Sequence, residues 1–362
     1  MGGSIFGNNF RITTWGESHG TGLGVVIDGC PAGLPLSEED IQSFLDRRKP
    51  GQSKFTTPRK ESDTVHILSG VFEGKTTGTP ISLAVWNENQ KSKDYSAIAD
   101  IYRPGHADFG FDTKFGFRDY RGGGRSSGRE TIGRVAAGAI ASKILSLAGI
   151  SFTCYAKEIG GIPVGKVNPD EINDNPFYMP DNEAASKVQT LADECIKDTD
   201  SLGGIIECVI KNVPAGIGEP VFDKLDARLA YAVMSIGAVK GFEIGDGFEA
   251  AKLRGSENND PFINENGVIT KKSNHSGGTL GGMSDGSDII FRAAIKPTPS
   301  IAKTQETVNK NGENVSINIK GRHDPMIVPR AVVVVEAMAA LTVLDLLMEN
   351  ETATIKKLFS CL

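Results

Sequence analysis

The stretch FRITTWGESHGTGLGVVIDG, residues 10–29, decides between two folds. Its G-x-S-x-G pattern is that of the nucleophile elbow of α/β-hydrolases, in which a reactive serine lies between a strand and a helix. Alternation of apolar and polar residues predicts the strand before Ser18. The glycines that follow disfavour a helix, and residues 25–27 predict a second strand. We therefore predict two strands joined by a glycine-rich tip that carries Ser18 and His19.

Composition limits the classes of protein to which the 362-residue chain can belong. It is 39% hydrophobic and 23% charged, as in ordinary soluble proteins, and its net charge of −6 argues against a general nucleic-acid binder. Five cysteines without a C-x-x-C pair, and no signal pattern, favour a reducing cytoplasm over a disulfide scaffold. The most apolar run, 331–347, predicts a buried helix rather than a membrane span. We expect a cytoplasmic protein that binds neither nucleic acid nor membrane.

Periodicity along the chain predicts mixed α and β structure. Ser127 and Glu130 fit a capping box, and apolar residues then recur at spacings of three and four until Gly149 closes the helix. Another helix is predicted from Ser37 to Pro50. The remaining patterns predict strands at 64–72, 79–86 and 203–212, helices at 184–198 and 221–235, and irregular glycine-rich segments within 88–128 and 274–300. No linker divides the chain.

Histidines are placed where loops are predicted. Four of the five are flanked by loop-forming residues, and only His66 lies within a predicted strand; the four are His19, His106, His275 and His323. Any one of them alone is best interpreted as a hydrogen-bonded loop residue, but four together favour a shared catalytic site, since loops on a rigid scaffold gather such groups. Their spacings match no metal-binding motif, so we expect no metal.

Arginines cluster between residues 118 and 134. Arg121 and Arg125 flank three glycines directly before the predicted helix. A helix N-terminus with Ser126, Ser127 and guanidinium groups suits a phosphate, although a solvated charged face is the alternative. The segment is neither a P-loop nor a Rossmann fingerprint. A second basic cluster contains Arg47, Arg48, Lys49, Lys54 and Arg59, and taken alone it is best explained as a complement to a helix C-terminus.

Three long motifs resemble those of the chorismate synthase family. They are GESHGTGLGVVIDGCP at 16–31, RGGGRSSGRETIGRVAAGA at 121–139 and GRHDPMIVPRAVVVVEA at 321–337. Shorter motifs lie between them in the family's order; these are RRKPGQSKFTT, RPGHAD, GAVKGFEIGDGF, NHSGGTLGG and KPTPS. The resemblance covers essentially the whole chain.

The resemblance implies an activity and a fold. The family converts 5-enolpyruvylshikimate 3-phosphate to chorismate by a 1,4-trans elimination of phosphate, with reduced FMN and without net redox change. Implied partners are the small phosphorylated substrate and an external flavin reductase, with NADPH only as an indirect source of reducing equivalents. The implied fold is α+β, a single-domain β-α-β sandwich over residues 1–362 with long functional loops, assembled as a homotetramer.

The resemblance also assigns roles by motif position. His19 would be the acid at the leaving phosphate, His106 would act near the flavin, Asp324 would assist a proton relay at the flavin, and Ser127 would orient substrate or flavin. The substrate's anionic groups would be bound by Arg48, Arg103, Arg129 and Arg322, and NADP by Arg48 and Lys54. FMN would be bound by Arg125, Ser126, Ser127, Gly237, Ala238, Gly281, Lys296, Pro297, Thr298, Pro299, Ser300 and Arg322.

Two other hypotheses stay open at this point. One is a serine hydrolase or phosphatase that uses Ser18, and the other is a non-catalytic protein that binds flavin or an anion. The chain also departs from common family choices, with Lys54 in place of arginine, Gly128 in place of alanine and Gly237 in place of asparagine. The first departure weakens bidentate anion binding at that position, because lysine lacks the planar fork of arginine.

Overall fold

The computed structural model describes residues 3–57, 61–88, 99–121, 123–319 and 324–359. The strands are β1 Ile5–Phe6, β2 Arg11–Gly16, β3 Gly22–Asp28, β4 Val65–Ser69, β5 Val71–Phe72, β6 Lys75–Thr76, β7 Ile81–Trp86, β8 Ser151–Ile159, β9 Ile162–Pro163, β10 Gly204–Lys211, β11 Val239–Ile244, β12 Phe262–Glu265, β13 Val268–Lys271, β14 Thr279–Leu280, β15 Met283–Ser284, β16 Ile289–Ile295, β17 Thr304–Val308 and β18 Asn314–Asn318. The α-helices are α1 Glu38–Arg48, α2 Asp108–Phe115, α3 Thr131–Leu147, α4 Asn182–Lys197, α5 Leu225–Met234, α6 Gly255–Asn258, α7 Val328–Asn350 and α8 Ile355–Leu358.

The first sheet contains the predicted hairpin and has the order β1-β2-β3-β7-β4. β2 and β3 pair antiparallel from Arg11 opposite Asp28 to Gly16 opposite Leu23. Side chains alternate along β2, with Ile12 buried and its neighbours in the strand exposed, as a sheet with one buried face requires. Because a strand rather than a helix follows Ser18, the hydrolase-elbow hypothesis is wrong.

The second sheet is also antiparallel and has the order β11-β16-β10-β8-β9. Its register places Cys154 of β8 opposite Cys208 of β10, and the two residues form a disulfide. The cysteine pattern did not predict this pair, since strand register rather than sequence spacing brings the two residues together. Cys30 and Cys195 are buried free thiols.

Helices fill the space between the two sheets, so the α+β sandwich architecture is confirmed. α3 packs against β3 and against α7, and α7 in turn packs against β8 and β10 of the second sheet. α1 packs on α3, and α5 packs on α7 and β11. The crossing of α3 and α7 is close, because a Cβ added at Gly138 would lie 2.4 Å from the Cβ of Ala337.

The predicted apolar helix is α7, and its surroundings explain its composition. The helix is long and apolar enough to span a membrane by length and hydropathy, but 89% of its most apolar window is buried inside the protein. It lies against other helices on one side and the second sheet on another, so nearly every face requires an apolar side chain. The prediction of a buried helix is therefore confirmed.

Several element boundaries differ from the predicted ones. α3 begins at Thr131, after a 3₁₀ turn at Gly128–Glu130 that Ser127 caps by accepting the backbone N–H of Arg129. The predicted capping box is wrong, because the carboxylate of Glu130 binds Thr14 and Arg134 instead. The predicted strand at 64–72 is divided into β4 and β5, and the predicted irregular segment at 88–128 contains α2.

Candidate functional site

The last residue of α1 is a deeply buried arginine. Arg48 is only 1% exposed. Its Nη2 donates to Oδ2 of Asp63 at 2.8 Å, and its Nη1 donates to the backbone oxygen of Gly128 at 3.1 Å and to Thr131 at 3.3 Å. Burial lowers the pKa of Arg48 to about 10, against the opposing effect of Asp63, so the side chain stays cationic at neutral pH.

The 3₁₀ turn before α3 brings a second arginine to the same carboxylate. Arg129 donates from Nη1 to Oδ1 of Asp63 at 3.1 Å and from Nε to Oδ1 of Asn87 at 3.1 Å. Burial alone would raise the pKa of Asp63, but Arg48 and Arg129 hold it below its usual value. The site therefore contains an ionised carboxylate between two guanidinium groups.

Each of these two arginines has one buried N–H group for which no described residue is an acceptor. Within the described part of the chain, Nε of Arg48 and Nη2 of Arg129 have no hydrogen-bond partner. A buried cationic donor without an acceptor is costly. The pair therefore suits an anionic ligand that supplies oxygen atoms to both.

Asn87 connects the arginine pair to the tip of the hairpin. Its side-chain nitrogen donates to the backbone oxygens of Glu17 at 3.0 Å and Gly20 at 2.8 Å. These two residues flank Ser18 and His19, which are both buried, and Oγ of Ser18 lies 3.1 Å from Nδ1 of His19. Asn87, which also accepts from Arg129, therefore supports the hairpin tip that carries His19.

Two residues of the third motif, Asp324 before α7 and Arg330 on its first turn, lie next to the same region. Asp324 accepts the backbone N–H of Thr57 at 2.7 Å and Nη1 of Arg330 at 2.5 Å. Arg330 also donates from Nε to the backbone oxygen of Arg48 at 3.0 Å. The predicted residues Arg322 and His323 lie outside the described residues, so the structure gives them no position.

A cavity of about 340 Å³ lies beside Arg330. Its wall has both polar and apolar surface and comes from the loop after α1, from the segment at 173–178 and from the start of α7. Arg330 is thus shared between this cavity and the arginine cluster. The sequence analysis did not select Arg330, although it stands in the third motif as the only arginine on the first turn of α7.

Two loops that the sequence analysis assigned to the flavin meet in the structure. Nε2 of His106 lies 2.9 Å from Oγ of Ser300, and Nζ of Lys296 donates to the backbone oxygen of Gly105 at 2.9 Å. Gly105 has a φ of +70°, and a Cβ there would lie 2.7 Å from Pro299. Only glycine therefore allows both this backbone conformation and the close approach of the two loops.

His106 is neutral at physiological pH. Burial is the main cause, and with the charge of Arg103 it lowers the pKa of His106 to about 4. Nδ1 lies 2.9 Å from the backbone oxygen of Pro104, an acceptor, so we assign the ring proton to Nδ1. Nε2 is then an acceptor for the hydroxyl of Ser300.

Arg103 is already paired within its own loop. It donates to Asp108 from Nε and from Nη2, both at 2.8 Å, and this bidentate pair is largely buried. Burial would raise the pKa of Asp108, but Arg103 lowers it below the usual range. The predicted substrate contact of Arg103 stays a prediction, and Asp108 is a partner that the sequence analysis did not name.

Polar side chains of the segment before α3, for which the sequence predicted a phosphate, bind backbone oxygens. Arg125 donates to the backbone oxygens of Gly16 at 3.0 Å and Thr14 at 3.1 Å. Ser126 donates to the backbone oxygen of Gly123 at 2.7 Å. The structure therefore ties this segment to the end of β2, next to the tip that carries His19.

Among the other predicted flavin residues, Ala238 lies next to Lys296, whereas Gly281 lies in a different turn. Ala238, at a φ of +74°, accepts the backbone N–H of Lys296 at 2.9 Å, so these segments are adjacent. Oγ1 of Thr298 is buried and has no partner among the described residues. Gly281 lies in the turn between β14 and β15, and the hydrogen bonds of the described residues do not link it to these segments.

Arg48 and Lys54, the predicted NADP residues, have different surroundings. Lys54 is exposed and pairs with Asp193 of α4 at 3.1 Å, and its Nζ lies 4.7 Å from the ring centre of Phe55. Arg48, in contrast, is enclosed among polar partners. A joint role of the two residues in binding NADP stays a prediction.

Comparisons with known proteins agree over almost the full length. The family profile described as chorismate synthase matches residues 10–348. The chain is 69% identical to the chorismate synthase of Agathobacter rectalis over 99% of this chain and 98% of the relative. It is 70% identical to that of Lachnospira eligens over 98% and 97% of the two chains. An archaeal chorismate synthase, from Methanosarcina mazei, is 58% identical over 95% and 96%.

The fold is also similar to a solved structure. A crystal structure of a chorismate synthase superimposes with a TM-score of 0.76 and 35% sequence identity. The match covers 95% of this chain and 93% of the other.

Proposed function

This chain belongs to the chorismate synthase family, and from that premise we propose how its residues divide the work of the reaction. As a chorismate synthase it is a carbon–oxygen lyase of the shikimate pathway, and it converts 5-enolpyruvylshikimate 3-phosphate to chorismate with loss of phosphate. The observation that carries this conclusion is the identity of 66–70% to three chorismate synthases over nearly the whole chain. The residue roles below are our proposals.

The arginine cluster would bind the substrate's anionic groups. Arg48, Arg129 and Arg330 are joined by short contacts to one another or to shared partners. The unpartnered N–H groups of Arg48 and Arg129 support this role, because phosphate and carboxylate oxygens are their natural acceptors. Arg103 and Arg322 would complete the set.

His19 would be the acid at the leaving phosphate. The ring is held by Ser18 at Nδ1 and by the support of the tip through Asn87. A proton passed from this imidazole to a phosphate oxygen eases departure of the group, because the leaving group then carries less negative charge. Ser18 thus orients His19 and does not attack the substrate.

Reduced FMN would be held by the segments that meet at His106. The buried hydroxyl of Thr298, which has no partner among the described residues, supports a ligand with oxygen or nitrogen atoms at this place. Residues that would hold the flavin are Arg125, Ser126, Ser127, Gly237, Ala238, Gly281, Lys296, Pro297, Thr298, Pro299, Ser300 and Arg322. The reduced flavin, when bound, supplies a transient electron and takes part in removing the ring proton of the substrate.

The chain's own groups near that place would manage protons. His106, neutral with an accepting Nε2, would keep a proton-acceptor beside Ser300 at any pH above its pKa of about 4. Asp324, fixed by Thr57 and Arg330, would assist the proton relay. Ser127 would orient substrate or flavin from the start of the 3₁₀ turn.

We further propose the surroundings in which the enzyme works. It would act in the cytoplasm as a homotetramer, with FMN reduced by a separate flavin reductase and NADPH as the indirect source of electrons. The family resemblance supports these statements. The alternative is direct reduction of the flavin by NADPH bound at Arg48 and Lys54.

One experiment tests the proposal. Purified protein is supplied anaerobically with dithionite-reduced FMN and 5-enolpyruvylshikimate 3-phosphate, and phosphate and chorismate are measured. We expect stoichiometric release of both, and tight FMN binding without turnover would instead indicate a non-catalytic flavoprotein. A parallel reaction with NADPH and oxidised FMN decides whether an external reductase is needed, since turnover there would contradict our proposal.

A further inference from the structure

We propose that Asp63 is a positioning residue of the anion site: it holds Arg48 and Arg129 in register so that one N–H group of each faces the substrate. The inference rests on the proposed role of these two arginines in binding substrate. Asp63 itself is not placed to contact an anion, since its negative charge would repel one. Its role would be exerted through its two neighbours.

Each carboxylate oxygen of Asp63 accepts from a different arginine. Oδ2 accepts from Arg48 at 2.8 Å, and Oδ1 accepts from Arg129 at 3.1 Å. These arginines come from the end of α1 and from the turn before α3, which are 81 positions apart along the chain. One carboxylate thus sets the relative position of two cations that would otherwise repel each other.

The backbone at Asp63 fixes where that carboxylate lies. Its φ of +47° belongs to the left-handed region, which aspartate tolerates better than most residues. Asp63 lies two residues before β4, and its backbone oxygen accepts from the side chain of Gln42 of α1 at 3.3 Å. An uncommon backbone conformation that persists beside a functional site is typical of a residue whose position is constrained by function.

The donors that remain after this pairing show what the arrangement leaves for a ligand. Asp63 uses Nη2 of Arg48 and Nη1 of Arg129, and the N–H groups without partners within the described ranges are Nε of Arg48 and Nη2 of Arg129. Each guanidinium is thus anchored on one side and left with a buried donor on another. A purely structural ion pair would be expected to satisfy its buried donors.

A matched arginine–carboxylate pair lies one residue away. Arg47 donates to Glu336 of α7 with an Nη2 to Oε2 distance of 2.6 Å. This pair also joins α1 to another helix, but neither member has a buried atom without a partner in the described chain. Glu336→Gln therefore removes a comparable charge without touching the arginines that would bind substrate.

Equilibrium binding separates positioning from stability. The titrations use the full-length protein with oxidised FMN, which does not turn over, and measure the Kd of 5-enolpyruvylshikimate 3-phosphate by calorimetry. We expect Asp63→Asn to raise this Kd at least tenfold, because the amide can accept from only one arginine and repels the other with its own N–H groups. Glu336→Gln should change Kd less than twofold, and FMN affinity should stay within twofold in both variants.

Turnover gives a second measurement with the same variants. With reduced FMN, Asp63→Asn should raise the KM for substrate more than it lowers kcat, since the acid and the flavin residues are intact. Asp63→Glu keeps the charge but moves it, and it should show a smaller increase in Kd than Asp63→Asn. If Asp63→Asn does not fold, as judged by circular dichroism, the Asp63→Glu titration decides: an increase in Kd supports the proposal.

The outcomes that contradict the proposal differ from those that contradict the function. If the wild-type protein neither binds nor converts the substrate, the proposed function fails. If the wild-type protein binds it and a folded Asp63 variant binds it equally well or more tightly, the positioning role is wrong and Asp63 is a structural counter-ion.

Discussion

Asp63 and Asp345 both have fully buried side chains that pair with arginine, but their surroundings differ. Asp345, on α7, accepts the backbone N–H groups of Asn9 at 2.7 Å and Phe10 at 3.0 Å and Nη2 of Arg228 at 2.8 Å. Among the described residues, the carboxylate of Asp63 accepts from the guanidinium groups of Arg48 and Arg129, and its backbone oxygen accepts from the side chain of Gln42. Asp345 thus binds the N-terminal segment to α7, whereas Asp63 holds two arginines next to each other.

The difference teaches how a buried charge that serves the fold differs from one that serves a ligand. Neither Asp345 nor Arg228 has a buried side-chain atom without a partner in the described part of the chain. Each arginine at Asp63 has one. The Asp345 pair is thus satisfied among the described residues, whereas the remaining donors of Arg48 and Arg129 would bind a ligand's oxygens in our proposal.

The largest effect on turnover should come from the hairpin tip, which Asn87 connects to Arg129 and so to Asp63. We expect His19→Ala to lower kcat by about 10²–10⁴-fold, the usual contribution of a positioned acid, with little change in unfolding. Phosphate release under anaerobic conditions with reduced FMN measures it. Ser18→Ala is the control and should cost far less, and full activity of His19→Ala would refute the assigned role.

Substitution of Asp345 should lower the stability of the fold and leave turnover unchanged. Asp345→Ala leaves Arg228 and the backbone N–H groups of Asn8, Asn9 and Phe10 without this acceptor. We therefore expect a loss of about 3–5 kcal/mol in the free energy of unfolding. Urea unfolding measures it, and kcat of the folded fraction should not change. Asp223→Ala removes the exposed partner of the same arginine, 3.1 Å away, and should cost less than about 1 kcal/mol. Equal costs for the two variants would contradict the comparison.

The buried, neutral His106 should make the stability of the fold depend on pH. His106 has a pKa of about 4 in the folded protein against 6.5 for an unperturbed histidine. Between these values the unfolded chain binds the proton more readily, so stability should rise with pH from 4 to 6.5 and this contribution should be fully present above 6.5. Urea unfolding of wild type and His106→Gln at several pH values measures the slope. A variant with an unchanged slope would show that other groups cause it.

The smallest effect should come from an exposed ion pair. Lys54 and Asp193 lie 3.1 Å apart, but their side chains are 62% and 41% exposed. Solvent screens such pairs, so Lys54→Ala should change the free energy of unfolding by less than about 1 kcal/mol. Thermal unfolding at low and high salt measures it. A cost as large as that of Asp345→Ala would mean that burial does not govern these pairs.

Local sequence patterns predicted the elements whose signals are local. The hairpin at 10–29 follows from alternation and glycine placement, and α1 and α7 follow from a cap, a periodic face and an apolar run. The capping box at Ser127 failed, because the carboxylate of Glu130 is attracted to Thr14 and Arg134, which a local pattern does not contain. Long-range competition for a polar group is invisible in four consecutive residues.

The motifs named the residue types of the site but not their pairing. Resemblance selected His19, Arg48, Arg129 and the loops that meet at His106, because each stands in a long motif. The sequence analysis did not select Asp63 or Arg330. Asp63 accepts from the side chain of Arg48, and Arg330 donates to the backbone oxygen of Arg48. An acid in the polar stretch after α1 looks like an ordinary surface residue until the fold buries it.

By itself, the sequence determined the family, the mixed class of secondary structure and the groups that could bind an anion or move a proton. Only the tertiary structure decided that one carboxylate bridges two arginines, that Cys154 faces Cys208, and that Gly138 lets α3 approach α7. The physical reason is range. Propensities and motifs act over a few neighbouring residues, whereas burial, charge pairing and strand register depend on parts of the chain that meet only when the core forms.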